Sequence, residues 1–298
     1  MSEFNGRKLG ALISPPDERD YPVSSYVGIE ENFPEEYIIP NLVEVYDQGN
    51  TAKCVAYSLA WIKASQEVKE RGKYIPMSYD FIYSNRYPGQ DSYRLLDFEG
   101  SYPRDLIKNL KNDGVCEREL FTTNLPWEIA IMRITNEMRE NAKQYKIRTY
   151  LRLYSNNEMK TALMKLGALS ISIPITPKFV GDYNEMIDWD YVQKYRKGNH
   201  MVTIIGWEKK NNIEYWIGVN SWGFDWGNYD GLFYLPFGYP VNEAWSLTDE
   251  IVTHWAEKYW NYLNENGVKI YEKNYDAKIT RGETFALLAR YLGYKEQE

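Results

Sequence analysis

The 298 residues contain two cysteines, Cys54 and Cys116, and two histidines, His200 and His254, so a thiol–imidazole mechanism has few possible pairings. A thiol attacks a carbonyl well only as thiolate. That form is favoured at a helix N-terminus and beside an imidazole, because both stabilise negative charge. Cys54 opens a run over 54–71 in which Val55, Leu59 and Ile62 recur at helical spacing, with Ala56, Ala60 and Ala64 on neighbouring rows; Gly72 supplies the stop. Taken alone, a cysteine opening an apolar helix reads as core packing. Its surroundings add chemistry. Gln48 lies six residues upstream, and a glutamine amide held there, with the Cys54 backbone N–H, could donate to the oxyanion formed on an attacked carbonyl. Downstream, Asn199-His200 opens one strand and Asn220-Ser221-Trp222-Gly223 closes the next. Adjacent antiparallel strands would bring His200 beside Asn220, which could accept from one ring nitrogen and leave the other facing the thiol.

The elements that must position these groups follow from periodicity. Helical patterns cover 103–112, 126–145 (opened by Pro126) and 157–166 (ended by Gly167). The period then changes: Leu169–Ile173 alternates as a strand, Met201–Trp207 and Tyr215–Val219 are two more around a Lys209–Asn212 turn, and Leu232–Leu235 is another. Helices first and strands second predict an α+β arrangement of two lobes with a cleft between them. Residues 1–40, rich in Pro, Gly and acids, read as a mostly irregular N-terminal arm. Ser246-x-x-Asp249 and Thr280-x-x-Glu283 fit capping boxes, one opening a helix that ends near Asn266-Gly267 and the other a helix over 280–293.

Composition narrows the function. The chain is 44% hydrophobic and 26% charged, ordinary values for a folded protein. Its formal charge of −7 and its lack of a basic cluster argue against nucleic acid as a partner. There is no apolar run long enough to span a membrane, and Met1–Lys8 lack the apolar core of a signal peptide, so synthesis in the cytoplasm is expected. With two cysteines a disulfide framework is not expected. Neither a metal-ligand spacing nor a phosphate-binding loop is present, so no metal and no cofactor is expected. Cys116 reads as packing and His254, beside Trp255, as structural.

The segments Gln48-Gly49, Cys54, Asn199-His200, Asn220-Ser221-Trp222-Gly223, Trp226-Gly227 and Gly231 resemble, in that order, the papain-like (C1) cysteine peptidases. The resemblance covers roughly 40–238. It implies the two-lobed papain-like fold, a helical lobe plus a β-barrel-like lobe, with Cys54 as nucleophile, His200 as base, Asn220 as its orienter and Gln48 at the oxyanion. It further implies that Trp222 shields the Asn–His hydrogen bond, that Gly100 and Ser101 form the edge pairing with substrate backbone, and that Asn199 and Ser172 lie near the substrate. Asp17-x-Arg19-Asp20-Tyr21 resembles a leader of bacterial and phage-type members. The chain departs from the family around the nucleophile, where Val55 replaces the usual tryptophan and Lys53 puts a cation next to the thiol. The long inhibitory pro-segment of secreted members is also missing, so control by zymogen cleavage is not expected.

Residues 253–294, with Trp255-Ala256 and Thr280-Arg281-x-Glu283, resemble one S-layer homology repeat. In that family the motif arginine, here Arg281, helps bind cell-wall polysaccharide. The expected organisation is an arm at 1–40, a peptidase domain at 41–240 and a small helical unit at 244–298. The expected activity is hydrolysis of a polypeptide substrate by a cysteine-type endopeptidase. Acyl transfer through the same residues, or a catalytically weak papain-fold module associated with cell wall or virion, are the alternatives.

Overall fold

The computed structural model describes residues 2–17, 20–86, 99–250 and 257–267. The chain divides into two compact units, Met1–Val23 with Ile29–Ile251, and Ser24–Gly28 with Val252–Glu298. The first unit carries Gln48, Cys54, His200, Asn220 and the residues expected near substrate.

It begins with a hairpin of β1 (Glu3–Phe4) and β2 (Arg7–Lys8). Asn5 and Gly6 turn it with φ of 49° and 74°, the left-handed pair that a tight two-residue hairpin demands. The arm is therefore not irregular throughout: after the hairpin, Leu9, Ala11 and Ser14 are buried. Strand β3 (Tyr37–Ile38) follows.

Helix α1 (Cys54–Arg71) is buried on all sides from Cys54 to Glu67, which explains its sequence of small and large apolar residues with no polar stripe. Gly72, at φ 64°, closes it with a left-handed cap. Beside it lie α2 (Tyr79–Ser84), capped by the Ser78 hydroxyl, and α3 (Pro103–Asn112). The expected helix over 126–145 is broken into α4 (Trp127–Ala130) and α5 (Asn136–Ala142). Thr135 explains the break: its hydroxyl accepts from the Met138 amide, starting a new helix where the old one would continue.

The remaining elements are β4 (Thr149–Leu153), α6 (Asn156–Lys165), β5 (Leu169–Ile175), α7 (Trp189–Tyr195), β6 (Gly198–Lys210), β7 (Ile213–Val219), β8 (Leu232–Pro236) and β9 (Glu243–Thr248). The strands form one antiparallel sheet in the order β4-β9-β5-β6-β7-β8, with β3 added on β6. Among the described residues β4 and β8 do not pair, so the sheet is open where a barrel-like lobe is expected. Instead the long strand β6 changes register between Ile204 and Gly206 and takes different neighbours along its length, β5 on one stretch and β3 on the next. The β6–β7 hairpin turns at Asn211-Asn212, both at positive φ, as the turn residues imply.

Strand β9 corrects the reading of 244 onward. Ser246 sits mid-strand, paired with Leu151 and Leu169, and is not a helix cap. All six residues of β9 are buried between two neighbours, so the strand shows no alternation for a sequence reading to detect. In the second unit, α8 (Glu257–Glu265) and the Gly267 left-handed turn fall where the first C-terminal helix is expected to end. His254, Trp255 and Thr280–Glu283 lie outside the described residues.

The helices and the sheet are joined by polar links as well as apolar packing. Ser58 Oγ on α1 lies 2.7 Å from Ser170 Oγ and 2.9 Å from Thr203 Oγ1. Gln66 Nε2 donates to Leu247 O at 2.7 Å. Buried hydrogen bonds of this kind contribute about 1 kcal/mol each, but leaving one partner unsatisfied costs more, so they fix the register of helix on sheet. That register sets Cys54 against β6.

Candidate active site

The first turn of α1 begins at Cys54, which is fully buried, and its thiol lies against the backbone of Met201, the residue after His200 on β6. His200, also fully buried, is held from the next strand: its Nε2 is 2.8 Å from Asn220 Oδ1. The same Oδ1 accepts from the Ser221 amide at 2.8 Å. An atom that accepts from a backbone N–H is the amide oxygen, so His200 Nε2 must donate to it, and the other nitrogen carries the lone pair. That nitrogen, Nδ1, is buried and makes no hydrogen bond among the described residues. The arrangement is a base held in one tautomer with its basic nitrogen unspent. Trp222 lies over the imidazole with ring centroids 4.7 Å apart and is itself buried against Phe179 and Trp226, so water is kept from the His–Asn pair.

Gln48 reaches the same corner through backbone pairing. Its amide donates to Ser221 O at 2.8 Å, and Gly223 N donates to Tyr46 O at 3.0 Å. Ser221 Oγ donates to Gln48 Oε1 at 2.6 Å, which orients the side-chain amide with its NH₂ outward. Ser221 is a positioning residue that the sequence reading leaves without a role.

The cleft is filled by the chain itself. Gln48 Nε2 donates to Lys8 O at 3.1 Å as well as to Thr51 O at 2.6 Å. The backbone of Gly10 lies at the Cys54 thiol. Ser101 N donates to Gly10 O at 2.9 Å, Leu12 N to Ser101 O at 3.0 Å, and Ala11 N to Asn199 O at 3.3 Å. Residues 8–12 thus use the groups expected to receive a substrate backbone. Only glycine fits at position 10, since a Cβ there would lie 2.0 Å from Ala52 O. The side chains of the arm grip both rims. Arg7 pairs with Asp47 and donates to Trp222 O at 3.1 Å, and Lys8 Nζ lies 2.8 and 2.7 Å from the Glu99 oxygens. Further along, Arg104 anchors the arm through Asp20 at 2.8 and 2.7 Å. A short arm suffices for this occupancy because the cleft contacts are made by backbone, which needs few residues.

The occupant is poorly placed for attack. The carbonyl at Gln48 is that of Lys8, whereas the group at the sulfur is Gly10, two residues on. Among the described residues the oxyanion donor and the nucleophile thus engage different peptide groups of the arm, an arrangement poor for attack. Burial beneath it acts on the chemistry too. It pushes the Cys54 thiol above its ordinary value, against the pull of the Met201, Gly10 and Val55 backbone. It pushes His200 down to about 4, against the Asn220 hydrogen bond. Both shifts favour neutral thiol and neutral imidazole over the reactive ion pair.

Of the groups expected near substrate, Ser101 and Asn199 bond the arm backbone, Gly100 and Trp222 adjoin the arm, and Ser172 is buried beside Asn242, whose amide also reaches Asn199. Lys53, expected as a cation next to the thiol, turns away from it to Asp80 at 2.6 Å and Thr123 O at 3.3 Å. Cys116 is buried, with its thiol pushed up to about 12 by that burial. Among the described residues Glu67, Glu70 and Asp249 converge, but the Lys63 ammonium already bonds Glu67 and Asp249.

Residues 38–252 match the family described as papain family cysteine protease, a span that includes Gln48, Cys54, His200 and Asn220. The chain belongs to the papain family of cysteine proteases. Cathepsin K of Mus musculus is 25% identical over 198 residues, 64% of this chain and 54% of that protein. Procathepsin L of Felis catus is likewise 25% identical over 198 residues, 55% of its length. The chain thus spans about half the length of these papain-family relatives. Among solved structures, xylellain, a cysteine protease from Xylella fastidiosa, superposes with a TM-score of 0.69 at 20% identity, covering 84% of this chain and 99% of that one. Procathepsin L 3 of Tenebrio molitor larval midgut gives 0.61 at 18% identity, covering 82% and 76%. The fold is therefore papain-like, with helices on one side of the cleft and an open sheet on the other.

Proposed function

We propose that this protein is a cysteine-type endopeptidase whose cleft is held closed by its own residues 7–12. The observation that carries the reading is the His200 Nε2–Asn220 Oδ1 contact of 2.8 Å with Nδ1 left unpartnered, while the Cys54 thiol at the start of a buried helix lies against the backbone of Met201, the residue after His200. Once the arm withdraws, His200 Nδ1 takes the Cys54 proton and the thiolate attacks the substrate carbonyl. Gln48 Nε2 and the Cys54 N–H hold the oxyanion; the imidazolium then protonates the leaving amine, and water hydrolyses the thioester with His200 as base. Acyl transfer would differ only in the nucleophile of the last step.

Mass spectrometry of a denatured polypeptide incubated with the full chain tests the reading. Internal cleavages by the chain carrying Arg7→Ala and Lys8→Ala, none when Cys54→Ala is added and a loss of at least two orders of magnitude when His200→Ala is added are expected. Equal cleavage by Cys54→Ala removes the proposal. The resemblance of 253–294 to an S-layer homology repeat supports cell-wall polysaccharide as a further partner, through Arg281. A bacterial or phage setting rests on the same tail and on the Asp17–Tyr21 leader. Pull-down by purified wall, lost in Arg281→Ala, is the corresponding test.

A further inference from the structure

A chamber of about 440 Å³ opens beside the residues that lead into Cys54, with Ala52, Lys53, Tyr83, Glu99, Leu125 and Glu128 in its walls. It adjoins the Gly100–Ser101 edge on which residues 10–12 pair, so it is placed to receive a side chain near the reacting bond. Among the described residues its charges do not balance without the arm. Lys53 is engaged by Asp80, so those two cancel. Arg86 lies over the Tyr83 ring, donates to Gly100 O and faces both Glu99 and Glu128. Among the described residues one guanidinium therefore stands against two carboxylates. The missing cation comes from the arm: the Lys8 ammonium reaches both oxygens of Glu99 at the rim. The same pairing of arm cation with cleft carboxylate recurs across the nucleophile, where Arg7 meets Asp47.

We propose that Glu99 and Glu128 make this chamber a specificity pocket for a lysine or arginine side chain of the substrate, with Lys8 standing in for that side chain while the arm is bound. The proposal rests on the peptidase reading. It draws on three separate features: a cavity of side-chain size next to the nucleophile, an excess of negative charge in its walls, and a cation of the same chain already paired there. A carboxylate pocket discriminates through the charge of the incoming group, so the right comparison is arginine against citrulline, which has nearly the same shape and no charge.

The test uses the full chain carrying Arg7→Ala and Lys8→Ala, and two fluorogenic peptides differing only in arginine or citrulline next to the leaving group. The ratio of kcat/KM is expected to favour arginine by roughly two- to fivefold, the range for a partly exposed ion pair, and to shrink as salt is added. Adding Glu99→Gln and Glu128→Gln should bring the ratio to about one, with Glu128→Gln alone intermediate. A ratio near one in the parent overturns the proposal, as does an unchanged ratio in the carboxamide variants. If neither peptide is cut, the hydrolytic reading fails separately, and binding decides the pocket. Dissociation constants of the two peptides from the same chain with Cys54→Ala, read by tryptophan fluorescence, should favour arginine; equal values overturn it.

Discussion

On one side of the sulfur, Gln48, His200 and Asn220 are buried, and each is oriented by a hydrogen bond to Ser221 or to one another on paired backbone segments. On the other side Glu99 stands about half exposed and Glu128 is exposed, and the arm is held there by ion pairs such as Lys8–Glu99. The chemistry is built from groups that cannot rearrange without leaving a buried polar atom unpaired. The grip on the arm is built from surface pairs that contribute 1 kcal/mol or less each, and from a short run of backbone bonds. On the proposed reading, a rigid corner beside a lightly held arm lets the cleft open without disturbing the site itself.

The largest effect that separates the two sides is at Gln48. Replacing it with Ala should lower kcat by roughly 10²–10³-fold, the usual cost of losing an oxyanion donor. The changes at Glu99 and Glu128 should alter the choice of substrate only several-fold. Comparable losses in kcat on both sides would break the comparison.

A smaller effect is expected from pH. Burial pushes His200 from 6.5 down to about 4. A base depressed in the closed state leaves that state fully favoured above its ordinary value. As pH falls from there towards about 4, the opened form takes up a proton that the closed form refuses, and the closed state loses stability. Amide exchange of residues 7–12, corrected for intrinsic rates, should lose protection at least several-fold between about pH 7 and about pH 5, and less in His200→Gln. Protection that rises on acidification would contradict the assignment.

Much of the catalytic side is legible in the sequence because its signals are local. Cys54 at a helix start, Gly72 at its end, and the Asn211-Asn212 turn that pairs β6 with β7 predict where His200 and Asn220 lie relative to each other. The other side is not, for physical reasons. The contacts of Gly10, Ala11 and Leu12 are made by backbone, which carries no residue-type signature. The one available signal is Leu9-Gly10-Ala11, small and apolar residues directly after Arg7-Lys8. Strand β9 is buried on both faces and pairs with strands far away in sequence, so neither alternation nor a turn announces it. Lys53 reads as a neighbour of the thiol because sequence adjacency cannot show that its side chain spans to Asp80.

The central claim is that the Cys54–His200 pair is held neutral under residues 7–12 and ionises when they leave. The most direct measurement is the rate of Cys54 alkylation by iodoacetamide across pH, in the wild-type chain and in Arg7→Ala/Lys8→Ala, with the modified residue mapped. The account predicts slow labelling in wild type that rises only at alkaline pH. The variant should label faster, with a reactive shoulder below neutrality that disappears when His200→Ala is added. Superimposable profiles in the two chains, or a variant whose Cys54 titrates as an ordinary thiol with His200 intact, would contradict it.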